Sequence, residues 1–362
     1  MIRILFFIET LSAGGAEKVL LNLVDAMDPE RFAVTVATPW PEDRSLLPSR
    51  VSYQSLYPAK NSLTRSLWRL EAALGTAVRR IRGQFDIEVA YLECGPTKLL
   101  SASKSRAKKV AWVHCDLNQK TDDPAAFARK TSPWYQKYDH VVCVSGSVEE
   151  RFRYLFPDAP PSSVLYNVNN EAEILRRSAA FLPERSNVPT LCAVGRLSAE
   201  KGFDHLIRSC ARMKELPFRL QILGEGPERQ ALDALIEEHG LRDRVALLGY
   251  QRNPYPYMKH ADLVVCSSRY EGFSTVVTEA LILGKAVVTT PCAGMAELLG
   301  DSEYGIITDD LYDGLKRMLT EPELRAQYAA AAQRRGRDFR KEELVRKTEA
   351  FFTELLEGTR SE

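Results

Sequence analysis

Two carboxylates stand eight residues apart in 267-SSRYEGFSTVVTEALILGKAVVTT-290: Glu271 in a glycine-bearing turn and Glu279 on a segment with helical character. Upstream, 194-VGRLSAEKGFDHLI-207 places Arg196 at the exit of an apolar strand and Lys201 five residues later, just before the next helix. Two cations at a strand's carboxyl end suit an anion. A helix starting at Ser274 or Thr275, either of which can serve as N-cap, offers free N–H groups and a positive dipole end to a phosphate. A further turn, 10-TLSAGGAEKVLL-21, follows the first strand and puts Gly14 and Gly15 at a helix start, where small residues allow close backbone approach to a ligand. It is neither a G-x-G-x-x-G fingerprint nor a Walker loop, so dinucleotide and ATPase readings lose support, and Gly224 in 224-GEGPER-229 does not restore them. His114 ends the strand-like 110-VAWVH-114, with Asp116 two residues on as the candidate base of an inverting reaction.

These residues need elements to carry them. A chain of 362 residues exceeds the length at which single cores stop growing, so two domains are expected. With 45% hydrophobic and 27% charged residues the composition is that of a soluble globular protein, and a net charge of +1 names no partner; no nucleic-acid partner is expected. No apolar run is long enough to span a bilayer and Met1 leads straight into RILFFIE, which predicts a cytoplasmic protein. Seven scattered cysteines without a C-x-x-C pair read as reduced thiols. β-branched runs alternate with helical patterns up to residue 168, a polar break covers 169–189, and the rhythm then restarts from TLCAVGRL. This predicts an α/β protein of two doubly wound, Rossmann-like domains: 1–170, 171–339, and a terminal helix over 340–362 that returns to the first domain. Ligands of such sheets bind outside the carboxyl ends of the strands.

The Gly14-Gly15 turn, G-R-L-x3-K-G at 195–202, G-E-G-P at 224–227 and E-G-F-x5-E-A at 271–280 together resemble the retaining glycosyltransferases of the GT-B fold, the large family of bacterial polysaccharide, glycolipid and mannosyl transferases. The resemblance runs from residue 1 to about 340, and Glu271 and Glu279 stand at the spacing of the family's E-x7-E motif. It implies two domains facing across a cleft and a nucleotide-sugar donor, with UDP the commonest. It further implies that Glu279 holds the ribose, Glu271 and His114 meet the transferred sugar, and Arg196 and Lys201 grip the diphosphate. Backbone N–H groups near Phe273, Ser274 and Thr275 meet the sugar and diphosphate, Gly224 of the G-E-G-P stretch joins Gly14 and Gly15 in bordering the donor, and the segment from Tyr250 lies toward the base. The chain has no D-x-D triplet and its five histidines lack ligand spacing, so transfer without a metal and without a cofactor is expected. Two rivals remain on the same fold. A nucleotide-sugar epimerase would form product without acceptor, and an inactive nucleotide-sugar-binding partner subunit would form none.

For the acceptor, a glycan or lipid-linked hydroxyl is expected. The segment 60-KNSLTRSLWRLEAALGTAVRRIRGQ-84 carries Leu63, Leu67, Leu70, Leu74, Val78 and Ile81 on one helical stripe, expected to pack on the first sheet. Arg65, Arg69, Arg79 and Arg80 lie opposite, which predicts peripheral docking on an anionic membrane surface.

Overall fold

The computed structural model describes residues 1–11 and 14–358; Ser12 and Ala13, inside the predicted glycine turn, and residues 359–362 lie outside the described residues. The chain divides into two units, Met1–Val168 together with Lys341–Glu362, and Asn169–Arg340.

In the first unit seven strands form one sheet: β1 (Ile2–Phe7), β2 (Phe32–Thr38), β3 (Ser52–Ser55), β4 (Ile87–Ala90), β5 (Lys108–Val113), β6 (His140–Cys143) and β7 (Ser162–Val164). Their order is β3-β2-β1-β4-β5-β6-β7 and every pairing is parallel. Parallel strands need crossover helices that cover both faces, which is why Ile4 to Phe7 are apolar without alternation and fully buried. The helix Lys341–Glu357 belongs to this unit. Phe352 reaches Phe6 and Trp112, with ring centroids 6.0 and 6.4 Å apart, and Glu349 accepts from the Asp28 backbone N–H at 2.7 Å.

In the second unit β8 (Thr190–Val194), β9 (Arg219–Leu223), β10 (Val245–Gly249), β11 (Leu263–Cys266), β12 (Ala286–Thr289) and β13 (Ile306–Ile307) form a parallel sheet of order β10-β9-β8-β11-β12-β13. Its core packs Leu191, Leu206, Leu220, Ile222 and Val265 between sheet and helices. Strand order reverses between β1 and β4 in one sheet and between β8 and β11 in the other. There the crossover helices leave on opposite faces and open a crevice at the strands' carboxyl ends.

The segment 60–84 departs from expectation. Its helix spans Ser62–Leu74 and stops at Gly75, whose φ of 67° is left-handed, and a short 3₁₀ turn follows over Ala77–Arg80. The side turned inward is not the leucine stripe. Thr64 and Asn61 close a capping box, and Trp68 packs edge-on against Trp40 and Tyr57 at 5.9 and 6.0 Å. With the aromatic trio taking the contact, Leu63, Leu70 and Leu74 are left 75%, 58% and 68% exposed. Arg80 is not a free cation either, since it forms a two-point ion pair with Glu71 at 2.6 and 2.7 Å and lies over the Tyr57 ring. Arg65, Arg69 and Arg79 remain exposed. Lys108, at the start of β5, pairs with Asp139 at 3.1 Å. All seven cysteines are free thiols.

Candidate active site

The second unit gathers its chemistry at the β8/β11 reversal. Gly195 and Arg196 leave β8, a 3₁₀ turn over Ala199–Lys201 follows, and Gly202 (φ 61°) turns the chain into the helix Phe203–Ala211. A Cβ on Gly202 would stand 2.1 Å from the Ser267 carbonyl oxygen, so only glycine lets this turn lie against the end of β11. The approach brings Lys201 Nζ to 2.7 Å from Glu271 Oε1, which also accepts from Ser268 Oγ at 2.6 Å. Burial disfavours the Lys201 ammonium, but the Glu271 carboxylate outweighs it and the Lys201 pKa is raised. The lysine therefore holds its charge in a mostly buried place. Arg196 is exposed, and its guanidinium has no acidic partner among the described residues.

Ser274 is the N-cap of the helix Thr275–Ile282: its side chain accepts from the Val277 N–H at 3.4 Å. Lys201, Ser268, Glu271 and Ser274 line one small pocket with the end of β11. Positive charge and a helix N-terminus thus converge beside a carboxylate, an arrangement that can hold a phosphate next to a polyhydroxylated group. Phe273 is buried edge-on against Phe339, centroids 5.9 Å apart, so its side chain belongs to the core. Glu279, one turn into the helix, is only 3% exposed and accepts from Tyr255 Oη at 3.4 Å, while the Arg177 guanidinium lies over the Tyr255 ring at 5.2 Å.

Gly224 follows β9 with φ 150°, and a Cβ there would fall 1.8 Å from the Gly195 carbonyl oxygen. Its smallness lets the β8 and β9 loops touch, which places Arg196 and leaves no role for a side chain. Tyr250 follows β10 and stands in solvent.

In the first unit Gly14, extended at φ −159°, is the N-cap of the helix Gly15–Ala26, so both glycines begin a helix after β1. His114 follows β5 directly. Its backbone N–H donates to Glu93 Oε2 at 3.2 Å, its ring lies 4.8 Å from that of Tyr91, and its Nε2 is buried without a hydrogen-bond partner. Burial holds the His114 pKa down to about 4, so the ring is neutral at pH 7. Glu93 also accepts from Cys115 Sγ at 3.0 Å and pairs with Lys120 at 2.7 Å. Burial pushes its carboxyl up, but Lys120 and His114 pull it further down, to about 2. Sequence reasoning passed over Glu93 and Lys120, because a lone acid in YLEC and a lone lysine in a polar loop carry no spacing signal. Tyr255 and Ser268 were missed for the same reason. Asp116 does not have the freedom of a general base: it is 1% exposed, ion-paired with Arg151, and accepts from the Asn118 backbone and side chain at 3.0 and 3.2 Å.

Among the described residues, no helix is long and apolar enough to cross a membrane and no group of three His, Cys, Asp or Glu side chains is placed to hold a metal ion.

Known proteins share this layout. The family described as "Glycosyltransferase Family 4" matches residues 13–170, and "Glycosyl transferases group 1" matches 176–335. A Campylobacter jejuni protein named N-acetylgalactosamine-N,N'-diacetylbacillosaminyl-diphospho-undecaprenol 4-alpha-N-acetylgalactosaminyltransferase is 34% identical, over 94% of this chain and 96% of its own. The Rhizobium meliloti lipopolysaccharide core biosynthesis glycosyltransferase LpsD is 24% identical over 88% of each. Among solved structures, Anabaena HepE in complex with UDP and glucose superimposes with a TM-score of 0.78 at 22% identity, covering 98% of this chain and all of that one. Sucrose-phosphate synthase of Thermosynechococcus elongatus superimposes at 0.84 with 16% identity, covering 99% of this chain and all of that one, and these two likenesses speak to fold alone. The chain belongs to the GT-B glycosyltransferases, built from a family 4 domain followed by a group 1 glycosyl transferase domain.

Proposed function

We propose that the protein transfers a sugar from a UDP-sugar, with retention at the anomeric carbon and without a metal ion, to a hydroxyl of a glycan or lipid-linked acceptor. The observation that carries this reading is the Lys201–Glu271 pair beside the Ser274-capped helix start. Lys201 and Arg196 take the diphosphate, whose charge grows as the bond to the sugar breaks; preorganised cations away from bulk water stabilise that charge well and do what a metal does elsewhere. Backbone N–H groups at Phe273, Ser274 and Thr275 add to the grip. Glu271 accepts from the sugar hydroxyls and Glu279 from the ribose. His114, neutral with a buried and unpartnered Nε2, is suited to a hydrogen bond with a sugar hydroxyl. Gly14 and Gly15 admit the ligand close to the backbone, and the exposed Tyr250 lies toward the base. In the retaining route the acceptor attacks the face the leaving group departs from, and a phosphate oxygen takes the acceptor's proton. Asp116, tied to Arg151, makes an inverting base less suitable. The UDP in HepE and the sugar-bearing diphospho-undecaprenol in the name of the Campylobacter relative support donor and acceptor class.

The same reading gives the first unit a membrane-facing helix. Ser62–Leu74 exposes Leu63, Leu70 and Leu74 next to Arg65 and Arg69, while its acid, Glu71, is neutralised by Arg80. Leucines entering the interface and arginines meeting anionic headgroups suit peripheral docking. Sedimentation with vesicles tests it: more binding to anionic than to neutral vesicles is expected, and equal binding removes the idea.

Thermal denaturation with UDP-, GDP- and ADP-sugars tests the donor. A UDP-sugar at 100 times its dissociation constant adds about 2.7 kcal/mol to native stability. A larger shift with a GDP- or ADP-sugar replaces UDP, and no shift with any of the three defeats the reading.

A further inference from the structure

At the amino-terminal half of β4, away from the carboxyl-end crevice, a cavity of about 230 Å³ opens beside the sheet of the first unit. Glu88 lines it and is 4% exposed, and its Oε2 is buried without a hydrogen-bond partner. A buried carboxylate oxygen left unpaired is costly, so its retention here points to a donor that comes from outside the chain. The backbone strengthens that demand. The helix Ser62–Leu74 ends at Gly75 and the helix Gly95–Ser101 at Ala102, and both residues line the cavity. These ends meet, since a Cβ on Gly75 would lie 3.2 Å from that of Ala102. Helix carboxyl ends carry partial negative charge, so three features favour a cation inside. The rim has the opposite sign: Arg79 and Lys104 line the same cavity and are exposed.

We propose that this cavity is a second ligand site, distinct from the nucleotide-sugar site, for an aminoalkyl phosphate. The primary ammonium enters against Glu88, and the phosphate stays at the mouth between Arg79 and Lys104. Ser103 and Ser105, whose hydroxyls lie 3.2 Å apart, add neutral hydrogen-bonding groups to the wall. This chemistry has two sources, a soluble aminoalkyl phosphate and the headgroup of an ethanolamine phospholipid. The exposed Leu74 adjoins Gly75 at the cavity, which makes an acyl chain beside the bound headgroup sterically reasonable. The proposal stands apart from the donor assignment and survives its failure.

Titration calorimetry with O-phosphoethanolamine, ethanolamine and inorganic phosphate tests the site on the full chain. O-phosphoethanolamine is expected to bind at least ten-fold more tightly than either part. Glu88→Gln, which keeps the side-chain shape, and Arg79→Ala, which is exposed and spares the fold, should each weaken it at least ten-fold. Vesicle sedimentation separates the sources. A preference for phosphatidylethanolamine over phosphatidylcholine that Glu88→Gln abolishes assigns the headgroup, whereas soluble binding without a vesicle preference assigns the free molecule. If O-phosphoethanolamine binds no better than phosphate and vesicles show no Glu88-dependent preference, or if both variants bind as the wild type does, the site does not exist.

Discussion

Replacing Glu271 by glutamine separates the two duties assigned to that side chain. Its Oε1 accepts from Lys201 Nζ at 2.7 Å and from Ser268 Oγ at 2.6 Å, and a glutamine keeps an acceptor oxygen there while removing the charge. The pair is partly buried, with side-chain exposures of 26% and 14%. Two unit charges ~4 Å apart attract by about 4 kcal/mol at an effective dielectric of ~20. Desolvation and side-chain ordering reduce the net value, so the variant should lose roughly 1 to 2 kcal/mol of stability. For a unit of this size that is a fall of about 2 to 8 °C in the unfolding midpoint. Lys201, no longer neutralised by Glu271, turns its full charge to the diphosphate. The dissociation constant of UDP should therefore stay within about three-fold of wild type, or fall. Transfer should suffer, because a charge-assisted hydrogen bond to the sugar is worth ~1.5 to 3 kcal/mol, or roughly 10- to 150-fold in kcat/KM. Calorimetry with UDP and initial rates with the UDP-sugar give the two quantities side by side. Equal losses of UDP affinity and turnover would mean that Glu271 only props Lys201, and unchanged turnover would remove it from the reaction.

Lys201→Ala and Arg196→Ala should each weaken UDP binding by roughly ten-fold or more at ~1.5 to 3 kcal/mol per charge-assisted bond, as calorimetry would measure. Of the two, Arg196→Ala should leave the unfolding midpoint unchanged, because the guanidinium is exposed and without an acidic partner among the described residues. Burial lowers the His114 pKa to about 4 from 6.5 in the unfolded chain, so its contribution to stability is complete above pH 6.5 and lost as pH falls through 4. The loss amounts to roughly 3 kcal/mol, and His114→Asn should flatten denaturation midpoints between pH 7 and 4.5 relative to wild type. Gly224→Ala forces a methyl to within 1.8 Å of the Gly195 oxygen and should depress the unfolding midpoint of the second unit sharply, which differential calorimetry would detect.

The strands were readable because a parallel strand covered on both faces is a short continuous apolar run, and RILFF, DHVVCVS and DLVVCSS each carry that mark into β1, β6 and β11. The cap at Ser274 was equally plain, a small hydroxyl residue ahead of an apolar helix. The helix over 62–74 was misjudged because periodicity tells which residues share a face but not which face finds a partner. Trp68 met Trp40 and Tyr57, which lie outside the periodic segment, and Leu63, Leu70 and Leu74 went to solvent. Glu71 and Arg80 likewise meet only because the chain turns at Gly75. Glu93, Lys120 and Tyr255 were invisible for the same physical reason: each matters through a contact across the fold. The motif residues Lys201 and Glu271 were legible individually, 70 positions apart, while their ion pair depends on the glycine that lets two loops touch.

Turnover of a UDP-sugar by protein stripped of metal and assayed in excess EDTA measures most directly whether Arg196 and Lys201 carry the diphosphate unaided. A kcat/KM within about two-fold of that in magnesium is the expected result if, as proposed, these two cations and the helix start supply the positive charge. Loss of turnover in chelator, with recovery on adding magnesium, would contradict it.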